Sequence, residues 1–324
     1  MAITLNNRSL VTIYGGSGFL GRHVVRAIAE TGARIRVAVR RPELAGHLQP
    51  LGDVGQIVPV QANVRFPDSL LAAADGADAV INLVGILFPS GKQSFTSVQD
   101  EGARHAAKAA KAAGAETLVH VSAIGADANS RSVYARSKAE GEAAVRDVFP
   151  DAVILRPSVV FGPEDDFFNR FGGLARIAPV LPLIGGGHTK FQPVFVGDVA
   201  KAMVAALTGR AGAGAPYELG GPEILTMRDV MKRVLDYTMR KRPMVPLPFW
   251  AAKLQAFFLQ LLPNPPLTID QVRLLESDNV VSAAAIKAAR TLEGLNIEPV
   301  AVASVVPDYL EQFRPRGQFS IYKP

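Results

Sequence analysis

At 324 residues the chain is long enough to bury a full core, as one large domain or two smaller ones. Apolar residues make up 48% and charged residues 20%, an ordinary globular balance, and the absence of cysteine excludes disulfides, thiolate nucleophiles and cysteine-ligated metals. Five scattered histidines show no metal-ligand spacing, and the net charge of +6 is spread along the chain without a basic-aromatic module, so an acidic lipid or protein surface explains it as well as nucleic acid does.

The N-terminal segment Ala2–Arg8 is polar and the apolar stretch after it is short, so no signal peptide is expected. No apolar run reaches the roughly 20 residues of a spanning helix. The expected location is the cytosol or the cytosolic face of a membrane.

The first element is a strand from Leu10, followed by Gly15-Gly16-Ser17-Gly18-Phe19-Leu20-Gly21 and a helix over His23–Glu30. Gly16-x-Gly18-x-x-Gly21 fits the dinucleotide fingerprint, and Gly15-x-x-Gly18-x-x-Gly21 fits its short-chain dehydrogenase variant. Such a turn needs one glycine for its bend, one for close approach of backbone N–H groups to a pyrophosphate, and one for helix–strand packing. The helix N-terminus then faces the phosphates with its partial positive charge.

A second strand, Arg34–Val39, ends in Arg40-Arg41-Pro42. An acid that would bond a ribose 2′-hydroxyl is expected there in NAD-binding folds. Two arginines stand in its place and favour a 2′-phosphate, hence NADP(H) over NAD(H). Arg22 is a further candidate contact; a solvated pair of loop cations is the plain alternative for Arg40 and Arg41.

Strand Ile57–Val60 leads to Asn63-Val64, where an adenine ring usually rests. Helix Ser69–Ala74, strand Ala79 through Val84-Gly85, an Ala-rich helix over 93–113 and strand Thr117–Ser122 follow. Alternation of strand and helix predicts an α/β fold: a Rossmann-type doubly wound parallel sheet with ligands at the carboxyl ends of its strands.

Ser122 closes the fifth strand, and Tyr134-Ala135-Arg136-Ser137-Lys138 opens a helix to about Val148. Tyr134 and Lys138 lie four apart, on one helix face. An ammonium beside the phenol is expected to lower its pKa, so that Tyr134 can exchange a proton with a carbonyl, with Lys138 on the nicotinamide ribose and Ser122 on the substrate oxygen. The sixth strand, Ala152–Arg156, precedes Pro157-Ser158-Val159, also candidate cofactor contacts. The division expected is residues 1–160 as the dinucleotide-binding domain and 161–324 as a smaller α/β and helical lobe. Two strands, at Phe191–Val196 and Tyr217–Leu219, are candidates to return to the main sheet. Helices are expected from Gly197 to Leu207 and over Thr226–Arg240.

Gly15–Gly21, Tyr134–Lys138, Arg156–Pro163 and Pro193-Val194-Phe195-Val196-Gly197-Asp198-Val199-Ala200 resemble the NAD-dependent epimerase/dehydratase branch of the short-chain dehydrogenase/reductases over roughly residues 8–240. Within it, Tyr14–Arg22, Val39–Pro42, Ser137–Glu142 and the Pro-rich stretch at Pro246-Leu247-Pro248 are similar to the NADPH-binding accessory subunits of respiratory complex I and their bacterial relatives. That resemblance implies NADPH held as a structural or regulatory cofactor, complex I subunits as partners, and a peripheral place on the cytoplasmic side of the inner membrane, or the matrix side in a mitochondrion. Two other readings stay open. One is a free-standing NADPH-dependent reductase or epimerase of a small or quinone-related carbonyl; the other is a redox-sensing regulator.

Arg240-Lys241-Arg242 is a basic run before a helix expected over Pro246–Leu262, apolar on most of its circumference. Such a pair fits an interfacial anchor, or a helix packed into the second lobe. Short helices follow at Thr268–Ser277 and Ser282–Leu292, then a pattern over Pro299–Phe313 interrupted at Pro307. Residues 314–324 are expected to lie on a partner or hang loose.

Overall fold

The computed structural model describes residues 3–320. Strand β1 (Leu10–Tyr14) runs into helix α1 (Phe19–Ala29), then β2 (Arg34–Val39), β3 (Ile57–Gln61), α2 (Pro67–Ala74) and β4 (Ala79–Asn82). A π-helical turn, Thr96–Asp100, precedes α3 (Glu101–Ala112), and β5 (Thr117–Val121), α4 (Val133–Val148) and β6 (Val153–Pro157) complete the alternation. Helix α1 starts four residues earlier than expected, because Gly15 alone makes the turn at φ +80 and Gly18 serves as N-cap. The helix expected over 93–113 is present and continuous, with a π-turn at Thr96–Asp100 leading into α3. There α4 comes so close that a Cβ on Gly141 would lie 2.2 Å from the Gln99 carbonyl oxygen.

Downstream come β7 (Val160–Phe161), α5 (Phe168–Ile177), β8 (Leu181–Ile184), β9 (Lys190–Phe191), β10 (Val194–Phe195), α6 (Val196–Leu207) and β11 (Tyr217–Leu219). After them lie β12 (Leu225–Thr226), α7 (Met227–Tyr237), β13 (Met244–Leu247) and α8 (Phe249–Leu259). The chain forms two compact units. Among the described residues the first holds 3–157, 197–219 and 282–298; the second holds 158–196, 220–281 and 299–320.

The first unit is built on a seven-stranded sheet of order β11-β6-β5-β4-β1-β2-β3, parallel throughout. Its central strands are buried on both faces, as a parallel sheet covered by crossover helices requires; every residue of β4 and β5 is buried. The strand at Tyr217 joins this sheet, whereas Phe191 pairs with β12 in the second unit. Order reverses between β1 and β4, the switch point at which such sheets bind ligands beyond their carboxyl ends.

In the second unit, the helix expected over Pro246–Leu262 is two elements. Pro246 lies in β13, which pairs with β8 as an edge strand, and Pro248 caps α8. Only Ala252 and Ala256 of α8 are buried, with Val272, while Trp250, Leu254, Phe257 and Phe258 are exposed. Pro307 begins a helical turn (Val306–Leu310) rather than interrupting one, since the first turn needs no donor from it. Residues 321–324 of the expected terminal arm lie outside the described residues.

Candidate functional site

A cleft of ≈ 270 Å³ opens at the switch point. Gly15, Ser17 and Gly18 line it from the turn after β1, Arg40 from the end of β2, Asn63 and Val64 from beyond β3, and Val84 and Gly85 from beyond β4. Tyr14, Ile86, Arg65 and Gln93 complete its wall, among others.

Three glycines have separate jobs. Gly15 takes the left-handed turn, and its N–H donates to the Ala38 carbonyl at 3.0 Å. Gly21 lets α1 close on the turn, since a Cβ there would sit 2.4 Å from the Gly16 oxygen. Gly18 has φ −77, and a Cβ on it would meet nothing nearer than the Gly15 oxygen at 3.6 Å. The fold does not need a glycine at 18, but a group lying against the backbone does. No side chain caps α1, and its first-turn N–H groups have no intrahelical acceptors. This cradle fits a pyrophosphate.

The structure separates the two arginines. Arg40 lines the cleft, and its Nη1 donates to Gln93 Oε1 at 2.9 Å. Arg41 is exposed outside the lining, at the start of the turn Pro42–Leu44. Arg65, which no motif marked, adds a second cation to the wall; its Nη1 donates to the Lys92 carbonyl and its guanidinium stacks on Phe66. Gly16, Phe19, Leu20, Gly21 and Arg22 stand behind the lining as turn and helix scaffold.

Tyr134 and Lys138 share a face of α4, with the Lys138 ammonium 5.9 Å from the centre of the Tyr134 ring. The ammonium lies over the ring, and burial of the hydroxyl pushes the phenol up to about 12 rather than down as expected. Burial also lowers Lys138 to about 8, opposed by Glu142. Lys138 Nζ donates to the Val121 carbonyl at 3.3 Å, and a Cβ on Gly85 would lie 3.2 Å from it. The amine therefore stands at the cleft edge formed by Gly85. Ser122 is buried, and its Oγ has no hydrogen-bond partner among the described residues.

Two residues before it, on β5, His120 accepts at Nδ1 from the Asn82 amide at 3.2 Å. Burial, then the Lys138 and Arg146 cations, hold His120 neutral with a pKa near 3. Glu142, one turn beyond Lys138, binds Arg156 in a fork of 2.7 and 2.8 Å. Pro157 closes the first unit. Ser158 and Val159 belong to the second, where both donate to the Asn279 side chain.

The profile of the NAD dependent epimerase/dehydratase family matches residues 11–220. The chain belongs to this family. The match spans the cleft, the Tyr134–Lys138 pair and the strand that completes the sheet. A relative in Arabidopsis thaliana, "NADH dehydrogenase [ubiquinone] 1 alpha subcomplex subunit 9, mitochondrial", is 36% identical over 95% of this chain and 79% of its own. "Ceramide reductase" of Caulobacter vibrioides is 38% identical over 61% of each chain. Among solved structures, an NADPH-dependent quinone oxidoreductase of Escherichia coli has the same fold, with a TM-score of 0.72 and 19% identity over 93% of this chain and 99% of its own.

Proposed function

We propose that this protein is an NADPH-binding accessory subunit of a respiratory complex I, an NADH:ubiquinone oxidoreductase, with the dinucleotide as a structural or regulatory ligand. The observation that carries the reading is kinship to the Arabidopsis subunit along 95% of the chain, well beyond the sheet. NADPH is favoured by Arg40 and Arg65 on the cleft wall and by the lack of an acid at the end of β2. In this reading Gly15–Gly18 and the α1 N-terminus hold the pyrophosphate, and Asn63 and Val64 border the adenine. Lys138 holds the ribose beside Tyr134 and Ser122, with Pro157 toward the nicotinamide. The protein sits peripherally on the inner membrane, on the cytoplasmic side in a bacterium and the matrix side in a mitochondrion. Its 240–265 region, basic and then apolar, faces the bilayer. No helix among the described residues is long and apolar enough to cross one.

The deciding experiment is gentle solubilisation of native membranes carrying the tagged chain, followed by native separation. Co-migration with the oxidoreductase, and NADPH released on denaturation, are the expected results; a chain found alone overturns the reading. In binding assays, Arg40→Asp with Arg41→Ala weakens NADPH by about 30-fold or more, the worth of a charge-assisted contact of roughly 2 kcal/mol, while NADH changes by less than about threefold. Arg40→Asp alone accounts for most of that loss. Equal loss of both dinucleotides would remove the 2′-phosphate from the argument.

The ceramide reductase kinship and the Tyr134–Lys138 pair favour a second reading, a free-standing NADPH-dependent reductase of a carbonyl substrate. There Tyr134 gives the proton to the carbonyl oxygen and Ser122 orients it. Under that reading Tyr134→Phe abolishes reductase turnover and leaves NADPH affinity within about twofold. Unchanged turnover in Tyr134→Phe would dismiss it.

A further inference from the structure

Helix α7 in the second unit ends in a Schellman turn. Met239 N donates to the Asp236 carbonyl at 3.0 Å and Arg240 N to the Leu235 carbonyl at 2.9 Å. Met239 holds φ 53, the left-handed conformation usually given to glycine, and so fixes the direction in which Arg240-Lys241-Arg242 leaves the helix. Both arginines are then pinned through Nε, Arg240 to the Phe313 carbonyl at 2.7 Å and Arg242 to the Ala175 carbonyl at 3.1 Å.

With Lys232, these three cations line an open pocket of ≈ 490 Å³ that also contains the Asp236 carboxylate. Among the described residues none of the four forms an ion pair. Burial first, and then the neighbouring Arg242 and Arg176 cations, hold Arg240 below its ordinary value. Exposed apolar residues stand near the pocket-lining ones or their partners in the chain. Ile177 follows Arg176, Met239 precedes Arg240, and Val245 lies two residues beyond Pro243, whose carbonyl accepts from Leu181 N beside Val180. These four are 76, 42, 48 and 42% exposed, respectively.

We propose that this pocket binds the phosphate headgroup of an anionic phospholipid, with the acyl chains against the apolar flank. The inference rests on the reading that residues 240–265 face a bilayer, and it adds a headgroup and the residues that select it. Guanidinium and ammonium cations gathered in one pocket suit phosphate oxygens. The pocket has room for more than a bare phosphate ion, and exposed apolar neighbours suit an amphiphile rather than a soluble anion.

The test is flotation of the full chain with phosphatidylcholine vesicles, with and without phosphatidylglycerol. The wild-type chain binds the phosphatidylglycerol vesicles more tightly. Lys241→Glu, whose side chain makes no hydrogen bond among the described residues, and Arg240→Gln with Arg242→Gln each lower that preference by about fivefold for every unit of positive charge lost. The control Lys108→Gln with Lys111→Gln on α3, which loses the same charge from an exposed face, keeps the preference. Equal binding to both vesicles overturns the pocket and leaves the membrane reading standing; binding to neither overturns both. An equal loss in the α3 control overturns the pocket in favour of unspecific charge. Saturable stabilisation by inorganic phosphate without a vesicle preference overturns the lipid in favour of a soluble phosphate.

Discussion

Gly18→Ala leaves the fold intact and weakens dinucleotide binding, whereas Gly21→Ala destabilises the unit that carries the cleft. The difference follows from what each added methyl meets. At position 18 the backbone is extended and the nearest atom is 3.6 Å away, an ordinary contact, so the cost to stability is below about 1 kcal/mol. That methyl projects where backbone N–H groups would meet a pyrophosphate. Losing one such charge-assisted contact, about 1.5–3 kcal/mol, weakens binding by roughly 10- to 150-fold. At position 21 the methyl lies within 2.4–2.6 Å of three backbone atoms of Gly16, none of which is the end of a flexible side chain. Helix α1 must move off the turn, at about 3 kcal/mol, which lowers the thermal midpoint by about 6–12 °C in a unit of this size. Thermal unfolding and dinucleotide titration of the two variants measure both effects. A Gly18→Ala protein that binds as tightly as the wild type would remove the cradle from the site.

Glu142→Ala destabilises the first unit by about 3–5 kcal/mol, the range for breaking one side of a buried ion pair. Glu142 is 2% exposed and holds Arg156 through two bonds, with Arg146 3.7 Å from the same carboxylate. Without it, Glu218, at 3.9 Å, is the one carboxylate left to Arg156 among the described residues. The carboxylate also lies one helical turn from Lys138 and opposes the lowering of its pKa, so the variant should leave that amine less protonated near neutral pH. Replacing both partners, Glu142→Met with Arg156→Met, restores most of the lost stability, because two well-packed apolar side chains carry no unpaired charge. Denaturant unfolding of the single and double variants tests this as a cycle. A single variant within about 1 kcal/mol of wild type would mean that water already screens the pair.

The alternation of strand and helix, the order β1 to β6 and the glycine turn were legible in the chain because they are local. Period-two apolar runs, a glycine cluster between a strand and a helix, and a Tyr and Lys four residues apart each act over a few residues. β2 occurs with the residues expected, Arg34–Val39, and Gly15, Gly18, Arg40, Asn63, Val64, Val84 and Gly85 do come to one cleft. Several features were decided only by tertiary contacts. Arg40 and Arg41 are adjacent and chemically alike, yet only the turn after β2 puts Arg40 on the cleft wall. Nothing local in the sequence marks Glu142 as buried; Arg156, from the next strand, reaches it there. Tyr134 was expected to have a lowered pKa from its spacing to Lys138, but burial raises it and the ammonium lies over the ring. The stretch expected as one apolar helix is a strand and a helix because β8, distant in sequence, supplies hydrogen-bond partners for Met244–Leu247. Residue type and spacing set which backbone form a segment prefers. Burial, the partner of a charge and the direction of a side chain are set by residues far away in sequence, so they appear only once the chain has closed on itself.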